Sequence, residues 1–174
     1  MADENTNGAL ANGALSNGAD ENAQMTAQVN VQKIYIKDAS FEAPSAPQIF
    51  QDQGQPQIQL NLGQRTAAIG PDVFEVVLTV TVTCKLADKT AYLAEVQQAG
   101  IFGLTGFPEG DLQAVLGTFC PHTLFPYARQ SVANMIMDGG FPPFQLQPIN
   151  FEQIYADQVQ RQQAAAAAQP IANT

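Results

Sequence analysis

The clearest pattern along the chain is a strict alternation of apolar and polar positions over residues 72–86 (DVFEVVLTVTVTCKL). This period of two predicts one long, half-buried strand with threonines on its solvent face. Three further segments have strand-like patterns: 29–37 (VNVQKIYIK), 57–62 (QIQLNL) and 90–98 (TAYLAEVQQ). The last of these can return beside the long strand after a tight turn, which predicts an antiparallel meander.

The period changes to that of a helix in the second half of the chain. Apolar residues recur at helical spacing over 111–119 and again over 123–138, where the pattern stops at a glycine pair. Pro126 is expected in the first turn of that helix, because a later proline would remove a backbone hydrogen bond. A last helix begins at Asn150, whose side chain can cap it while Gln153 reaches back. Strands followed by helices predict an α+β fold, with helices on one face of an antiparallel sheet.

The two ends of the chain are expected to be flexible. Residues 1–28 contain an imperfect repeat of small residues, NGALANGALSNGA, which buries too little surface to offset the entropy of ordering. Residues 163–174 are Ala-rich and could extend the last helix, but should fray before Pro170. The predicted division is a disordered tail over 1–28, a folded domain over 29–162 and a flexible tail over 163–174.

Composition narrows the kind of partner that the chain can have. Charged residues make up 13% of the chain, below the roughly 25% typical of soluble domains. A surface with so few charges covers apolar area poorly and favours association. The net charge of −9 repels nucleic acid and anionic membranes and attracts cationic protein segments. A protein partner is therefore expected.

The cysteines and the N-terminus indicate a cellular location. Cys84 and Cys120 stand far apart in apolar patterns, which predicts buried free thiols in a reducing compartment. The acidic N-terminus lacks the basic segment and apolar stretch of a secretory signal. No stretch approaches the roughly 20 apolar residues that span a bilayer. We expect a soluble, cytoplasmic protein.

Residues that could carry chemistry are scarce. The glycine-rich stretch 100–106 has the spacing of neither a dinucleotide-binding loop nor a P-loop, and is expected to be a flexible apolar loop. His122 is the only histidine, so one subunit can build neither a His-based triad nor a multi-histidine metal site. Glu109 and Asp111 are expected to favour the N-terminus of a helix. These observations disfavour an enzyme and predict no cofactor and no metal.

Asp38 and Glu42 have two interpretations. They stand four apart in KDASFEAP, a segment that leaves a strand and runs into prolines. They can be solvated turn acids without a further role, or they can form an acidic patch on which a partner docks. The residues themselves leave both interpretations open.

Five segments of the chain resemble the SecB family of bacterial export chaperones. They occur in the order that the family has, and together they extend over roughly residues 29–160. The pattern CP-x-x-LFPYAR within the fourth segment makes the resemblance specific. The segments are IYIKDASFEAPSAP (34–47), EVVLTVTVT (75–83), AYLAEVQQAGIF (91–102), LGTFCPHTLFPYAR (116–129) and GGFPPFQLQPINF (139–151).

The resemblance implies a fold, an activity and partners. Members of the family are dimers of dimers in which four-stranded sheets join and helices pack between the dimers. They bind unfolded precursor proteins in the cytosol without ATP, keep them competent for translocation and deliver them to the SecA ATPase. An edge strand such as 29–37 would promote aggregation in a monomer, so pairing across a subunit boundary is physically sensible. The chain is accordingly expected to be a homotetrameric export chaperone and not an enzyme.

The resemblance also implies roles for particular residues in assembly and docking. Positions that contact SecA in the family, through its basic C-terminal segment, correspond here to Asp38, Glu42, Leu93 and Glu95. An apolar anchor ringed by acids would suit a basic segment. Residues on the opposite face of the last strand would look into the subunit or the contact between dimers. The positions that affect tetramer formation correspond to Ala94, Val96 and Gln98.

Clients of the family bind in long apolar grooves. Candidates here lie in the expected loop and in the Pro-rich segment after the second helix, although each could equally be ordinary core. They are Ile101, Phe102, Leu104, Phe107, Phe141, Phe144 and Leu146. The chain departs from the family at Gly54, because members often carry a tryptophan in this crossover segment and this chain has none.

Other functions stay open at this point. The chain could be a general holdase or a structural oligomeric protein with no export role. A third possibility is an enzyme with its site at a subunit boundary. A refolding assay and a substrate screen separate these from an export chaperone.

Overall fold

The computed structural model describes residues 26–167. Most of both predicted tails, residues 1–25 and 168–174, therefore lies outside the described residues. The last helix extends to Ala167, so the first five residues of the predicted C-terminal tail are helical.

Four strands form one antiparallel sheet, and three α-helices follow them in the chain. The strands lie in the order β1-β4-β3-β2, so β1 and β2 are the two edges. A crossover segment, residues 43–55, joins these edges and contains a short 3₁₀-helix. The elements are β1 (Gln28–Glu42), the 3₁₀-helix (Gln48–Gln51), β2 (Pro56–Gly70), β3 (Val73–Leu86), β4 (Lys89–Thr105), α1 (Glu109–Gly117), α2 (Phe119–Asp138) and α3 (Phe151–Ala167). The predicted α+β architecture is confirmed.

The core lies between α2 and the two central strands. The alternating apolar positions of β3, such as Val80 and Val82, are fully buried, as is Val96 on β4. Leu124 and Val132 of α2 pack against them. We call the helix-covered side of the sheet the inner face and the opposite side the outer face. The long alternation in the sequence therefore predicted both β3 and its buried side.

The glycine-rich stretch expected to be a flexible loop is instead the end of β4, so that prediction is wrong. The residues up to Thr105 pair with β1 on one side and, up to Gly103, with β3 on the other. Gly100 allows α2 to approach closely, because a Cβ atom there would lie 2.9 Å from Leu124 Cδ2. The glycines thus serve packing within a strand.

Two strands are longer than their sequence patterns. β2 extends to Gly70, far beyond the alternating residues 57–62, and β1 extends to Glu42. The residues of β2 after Leu62 are exposed and, apart from Ile69, polar or small, so no apolar alternation identifies them. Backbone hydrogen bonds to β3 hold them in the sheet.

β1 contains two β-bulges that change which side chains face the helices. The register with β4 shifts between Val31 and Lys33 and again between Ile36 and Asp38. Odd-numbered residues face inward before the first bulge, even-numbered residues between the bulges and odd-numbered residues, such as Phe41, after the second. Each bulge adds one residue to the strand, so the alternation changes parity.

The second helix begins earlier than predicted. α2 starts at Phe119, which places Pro126 inside the helix rather than in its first turn. The missing N–H of Pro126 leaves the carbonyl of His122 without its usual partner. Both residues are exposed, so water can hydrate that carbonyl. The predicted end of the helix is confirmed, because Gly139 is its C-cap.

Two smaller predictions are confirmed. The side chain of Asn150 caps α3 by accepting a hydrogen bond from the backbone N–H of Gln153 at 2.9 Å. The Gln153 side chain donates to Asp157 rather than reaching back. Cys84 and Cys120 are free and buried. Burial raises the pKa of the Cys120 thiol to about 12, so this thiol is protonated and unreactive at neutral pH.

Candidate functional site

The outer face brings together the four residues that the sequence predicted as a docking surface. In the β1–β4 ladder Glu42 lies opposite Leu93, and Ser40 lies opposite Glu95. Asp38 stands two residues before Ser40 on the same side of β1. Residues directly opposite in an antiparallel pair share a face. We call Asp38, Glu42, Leu93 and Glu95 the acidic face.

Side chains of the acidic face differ in their burial and in their hydrogen bonding. Leu93 and Glu95 are half-buried, whereas Asp38 and Glu42 are exposed. Thr81 on β3 donates its hydroxyl hydrogen to Glu95 Oε2 at 2.8 Å, which orients that carboxylate. Within the part of the chain that the structure describes, neither of the two salt bridges involves an acid of this face. Its negative charge is therefore available to a cationic partner.

A neutralised cluster lies on the outer face beside the acidic face. Lys37 Nζ lies 2.7 Å from both carboxylate oxygens of Glu75, and the Tyr35 hydroxyl also donates to this carboxylate. The hydrogen bond from Lys37, then that from Tyr35, lowers the pKa of Glu75. The same bond to Glu75 raises the pKa of Tyr35. Among the residues of the four strands, the acids without a salt bridge are thus Asp38, Glu42 and Glu95, which all belong to the acidic face.

The three predicted tetramer positions point to the inner face. Ala94 and Val96 are fully buried beneath the helices, and Gln98 is 2% exposed. The sequence left open whether these residues look into the subunit or into a contact between dimers, and the structure places them inside the subunit. Any effect of these residues on assembly therefore acts through packing within the subunit.

Four aromatic rings from four separate segments converge on the inner side of the β1–β4 pair. Phe141 lies between the others, with ring centroids 4.8 Å from Tyr92, 5.1 Å from Phe50 and 6.2 Å from Phe41. Phe41 also stacks on Tyr92 at 6.1 Å. Phe50 is 52% exposed, so the cluster opens to solvent. Phe50, Tyr92 and Phe141 border a cavity that we call the aromatic groove, and the Phe41 ring packs against Tyr92 and Phe141 without lining it.

The aromatic groove is shallow, open and mainly apolar. A cavity of about 500 Å³ runs between the crossover segment, the ends of β3 and β4, and the segment after α2. This volume lies within the range of ligand-binding pockets in proteins. The residues that line it are Ile49, Phe50, Asp52, Gly54, Pro56, Ile58, Cys84, Leu86, Ala91, Tyr92, Gly140, Phe141, Pro142, Pro143 and Phe144.

Local sequence features hold the rings in place. In the crossover segment the 3₁₀-helix buries Ile49 and leaves its neighbour Phe50 outside. At the end of α2, a Cβ atom on Gly139 would lie 2.2 Å from the Phe41 ring, so only glycine admits this ring. Gly140 has φ of +82°, which turns the chain sharply into Phe141. Glycines at the end of α2 therefore position the wall of the groove that carries Phe141.

Gly54 lies on the rim of the groove and leaves one wall open. A Cβ atom at this position would meet a single neighbouring atom, the Ala87 backbone nitrogen at 3.8 Å. There is therefore room for a large side chain at this position.

Two of the seven predicted client-contacting residues line the groove. Phe141 and Phe144 border it. Phe102, Leu104 and Leu146 belong to the buried core, which leaves them no free surface within one subunit. The remaining two are half-buried and lie outside the groove: Ile101 on the outer face of β4, and Phe107 between β4 and α1.

Sequence reasoning missed three rings of the aromatic cluster, two of which, Phe50 and Tyr92, line the groove. Phe41, Phe50 and Tyr92 were not among the predicted contacts, although all three contribute rings. The sequence did contain a signal for these rings. Phe41 and Phe50 stand on either side of two prolines, as Phe141 and Phe144 stand on either side of a proline pair. Aromatic residues beside prolines on exposed connections are candidates for a binding surface.

The described residues offer no metal site of the usual kind. Over residues 26–167, no group of three or more His, Cys, Asp or Glu side chains converges as metal ligands do. None of the helices in this part of the chain combines the length and the hydropathy needed to cross a membrane. The aromatic groove and the acidic face are thus the two features on which a function can be built.

Comparison with known proteins gives one consistent result. The model of the family described as preprotein translocase subunit SecB matches residues 21–162. A protein-export protein SecB of Stenotrophomonas maltophilia is 48% identical over 100% of this chain and 96% of its own length. Its counterpart in Xanthomonas euvesicatoria is 49% identical over 94% of this chain and 91% of its own length.

A solved structure supports the fold independently. The SecB-like chaperone Rv1957 of Mycobacterium tuberculosis, in complex with a peptide from the antitoxin HigA1, superposes with a TM-score of 0.59. The match covers 70% of this chain and 91% of the other, at 19% sequence identity. Identity this low bears on the fold alone.

Proposed function

The chain belongs to the SecB family of protein-export chaperones, and from this premise we propose that it binds unfolded precursor proteins without ATP and delivers them to SecA. One observation carries the proposal. Strand β4 borders an open aromatic groove on one side and, together with β1, carries an acidic face on the other. The first suits extended apolar segments and the second suits a basic partner.

The aromatic groove supports client binding with low sequence specificity. Apolar burial is non-directional, so rings such as Phe50 and Phe141 accept many different apolar segments. Burial of about 400 Å² of client apolar surface would give on the order of 10 kcal/mol before losses. Association and ordering remove much of this gain. Several grooves on one assembly would restore tight binding through effective concentration.

The acidic face supports docking of SecA through its basic C-terminal segment. Glu95 is held in place by Thr81 beside the half-buried Leu93, which offers an apolar anchor next to an oriented charge. Asp38 and Glu42 add exposed negative charge on the neighbouring strand. A small apolar centre surrounded by charges is a common arrangement for binding hot spots.

A homotetramer, as a dimer of dimers, completes the proposal. β1 and β2 are exposed sheet edges with apolar side chains such as Val31 and Leu60 on their inner sides. Phe119, Tyr127 and Met137 are exposed on α2. Unpaired apolar edges and a helix with exposed aromatic residues favour association of subunits.

We also propose a cytoplasmic location and the division into tails and domain given above. Two free, buried cysteines suit a reducing compartment. The family model covers residues 21–162, which nearly coincides with the proposed domain over 29–162. Residues 1–28 and 163–174 would then flank a single chaperone unit.

A refolding assay tests the function directly. A denatured, slowly folding precursor is diluted into buffer with and without the purified protein, and no ATP is added. We expect refolding to slow, because a protein that binds the unfolded state lowers its free concentration. Transfer is then followed by adding SecA, which should bind the loaded complex.

The outcomes separate the alternatives. Unchanged refolding kinetics together with a stable oligomer would indicate a structural interaction protein and reject the proposal. Slowed refolding without any binding of SecA would indicate a general holdase. Slowed refolding with SecA binding supports the export function.

A further inference from the structure

We propose that Gln98 is a positioning residue of the acidic face, because its buried side chain holds the β-bulge at Lys37 that sets Asp38 on the outer side of β1. The inference rests on the proposed function, in which the acidic face is the docking surface of a basic partner. It differs from the role that the family resemblance implies, since Gln98 acts here within its own subunit.

The geometry links Gln98 to the bulge. Gln98 on β4 pairs with Ile36 on β1, and the register shifts directly after Ile36. Its Nε2 atom donates to the carbonyl oxygen of Tyr35 at 2.8 Å. That carbonyl belongs to the peptide group between Tyr35 and Ile36, which leads into the bulge. A side chain from the neighbouring strand thus fixes the backbone where the alternation changes parity.

The burial of Gln98 indicates that its hydrogen bond to Tyr35 stabilises the backbone at the bulge. Gln98 is the only polar residue among the fully buried side chains of the described chain. Among the residues that the structure describes, no donor reaches its Oε1 atom. A buried acceptor without a partner destabilises a fold, and an apolar residue of similar size would avoid this. The amide orientation is determined, because the carbonyl of Tyr35 can only accept a hydrogen bond.

The bulge needs support from both faces of the sheet. β1 is an edge strand, so β4 alone holds it, and the extra residue of a bulge has no ladder partner. On the outer face Lys37 is tied to Glu75 at 2.7 Å. On the inner face the support is the bond from Gln98. Together they place Lys37 and Asp38 side by side on the outer face, and Glu42 follows in register with Leu93.

Substitution of Gln98 by methionine tests the inference on the full-length protein. Met has a similar volume but cannot donate to Tyr35. Backbone amide exchange at residues 36–38, followed by NMR, should accelerate about tenfold, as expected for the loss of one hydrogen bond. Affinity for a synthetic peptide rich in Lys and Arg should fall about fivefold by titration calorimetry. Binding of an unfolded precursor should stay unchanged.

Val80→Ala is the matched control. Val80 is buried on the same inner face, on the neighbouring strand β3, and its side chain makes no hydrogen bond. It should lower the melting temperature without changing peptide affinity or exchange at residues 36–38. An equal loss of peptide affinity in this variant would attribute the effect to general packing and overturn the inference. So would an unchanged affinity in Gln98→Met.

If Gln98→Met does not fold, a measurement on the unaltered protein tests the role of Gln98 instead. The side-chain amide protons of Gln98 should exchange with solvent far more slowly than those of the exposed Gln130, which bonds only to a neighbouring side chain. Equally fast exchange would overturn the inference. The proposed docking function is tested separately by Glu95→Lys, so failure of one does not imply failure of the other.

Discussion

The aromatic groove and the acidic face lie on opposite sides of the sheet and meet at β4, where neighbouring residues contribute to each. On β1, the Phe41 ring packs on the inner side against Tyr92, whereas Glu42 belongs to the acidic face. On β4, Tyr92 lines the groove and the next residue, Leu93, belongs to the acidic face. The surface suited to unfolded chains and the surface suited to a charged partner are therefore separated by one layer of β-sheet.

The two sides use different physics. The groove is lined by rings and offers non-directional burial, which salt weakens little. The acidic face offers exposed charges, whose attraction for a basic segment is screened over roughly 8 Å at physiological ionic strength. Binding on one side can therefore be changed by sequence or by salt with little direct effect on the other. The predictions below test this independence.

The largest expected effect comes from removing the exposed rings. In the double variant Phe50→Ser, Phe141→Ser, the affinity for an unfolded precursor should fall about 100-fold, because each ring contributes about 1–2 kcal/mol of apolar burial. Affinity for SecA should stay unchanged. Titration of a fluorescently labelled, denatured precursor measures the first quantity and calorimetry the second.

Ile154→Ser provides the control for this double variant. Ile154 is also exposed but lies on α3, away from the groove. Its substitution should leave precursor affinity within about twofold of the original. If Ile154→Ser weakened precursor binding as strongly as the double variant, the groove would not be the client site.

A smaller effect is expected from reversing one charge on the other side. Glu95→Lys should weaken binding of SecA or its basic C-terminal segment about tenfold, because it removes an oriented carboxylate and introduces repulsion. Precursor affinity and the assembly state, checked by light scattering, should not change. Calorimetry measures SecA affinity at moderate salt. When it is repeated at higher salt, the difference in affinity between Glu95→Lys and the original protein should become smaller.

Glu109→Lys makes the same change of charge at an exposed position on α1, on the helix side of the sheet. It should leave SecA affinity nearly unaltered. An unchanged affinity in Glu95→Lys, or an equal loss in Glu109→Lys, would contradict the assignment of the acidic face.

The smallest expected effect is a gain of function at the rim of the groove. Gly54→Trp should raise precursor affinity about threefold, because a ring would cover the wall that Gly54 leaves open. Gly110→Trp places the same side chain in open space on α1 and should have no effect. Weaker precursor binding in Gly54→Trp would show that the open wall itself admits clients.

Sequence by itself determined the elements whose signals are local. The alternation around Val80 predicted β3 and its buried face, and Asn150 predicted the start of α3. The glycine pair predicted the end of α2. The residues of the acidic face came from family resemblance together with the period of two. These features depend on near neighbours, which a pattern along the chain records directly.

Tertiary structure decided what depends on contacts between distant segments. Gly100 and Gly103 lie in a strand because β1 and β3 pair with them and α2 packs on Gly100, and no local pattern shows this. Phe50 and Tyr92 line a groove with Phe141, because the crossover segment and the end of α2 bring these rings together. Ring clusters and bulges are set by long-range packing, so only the folded chain reveals them.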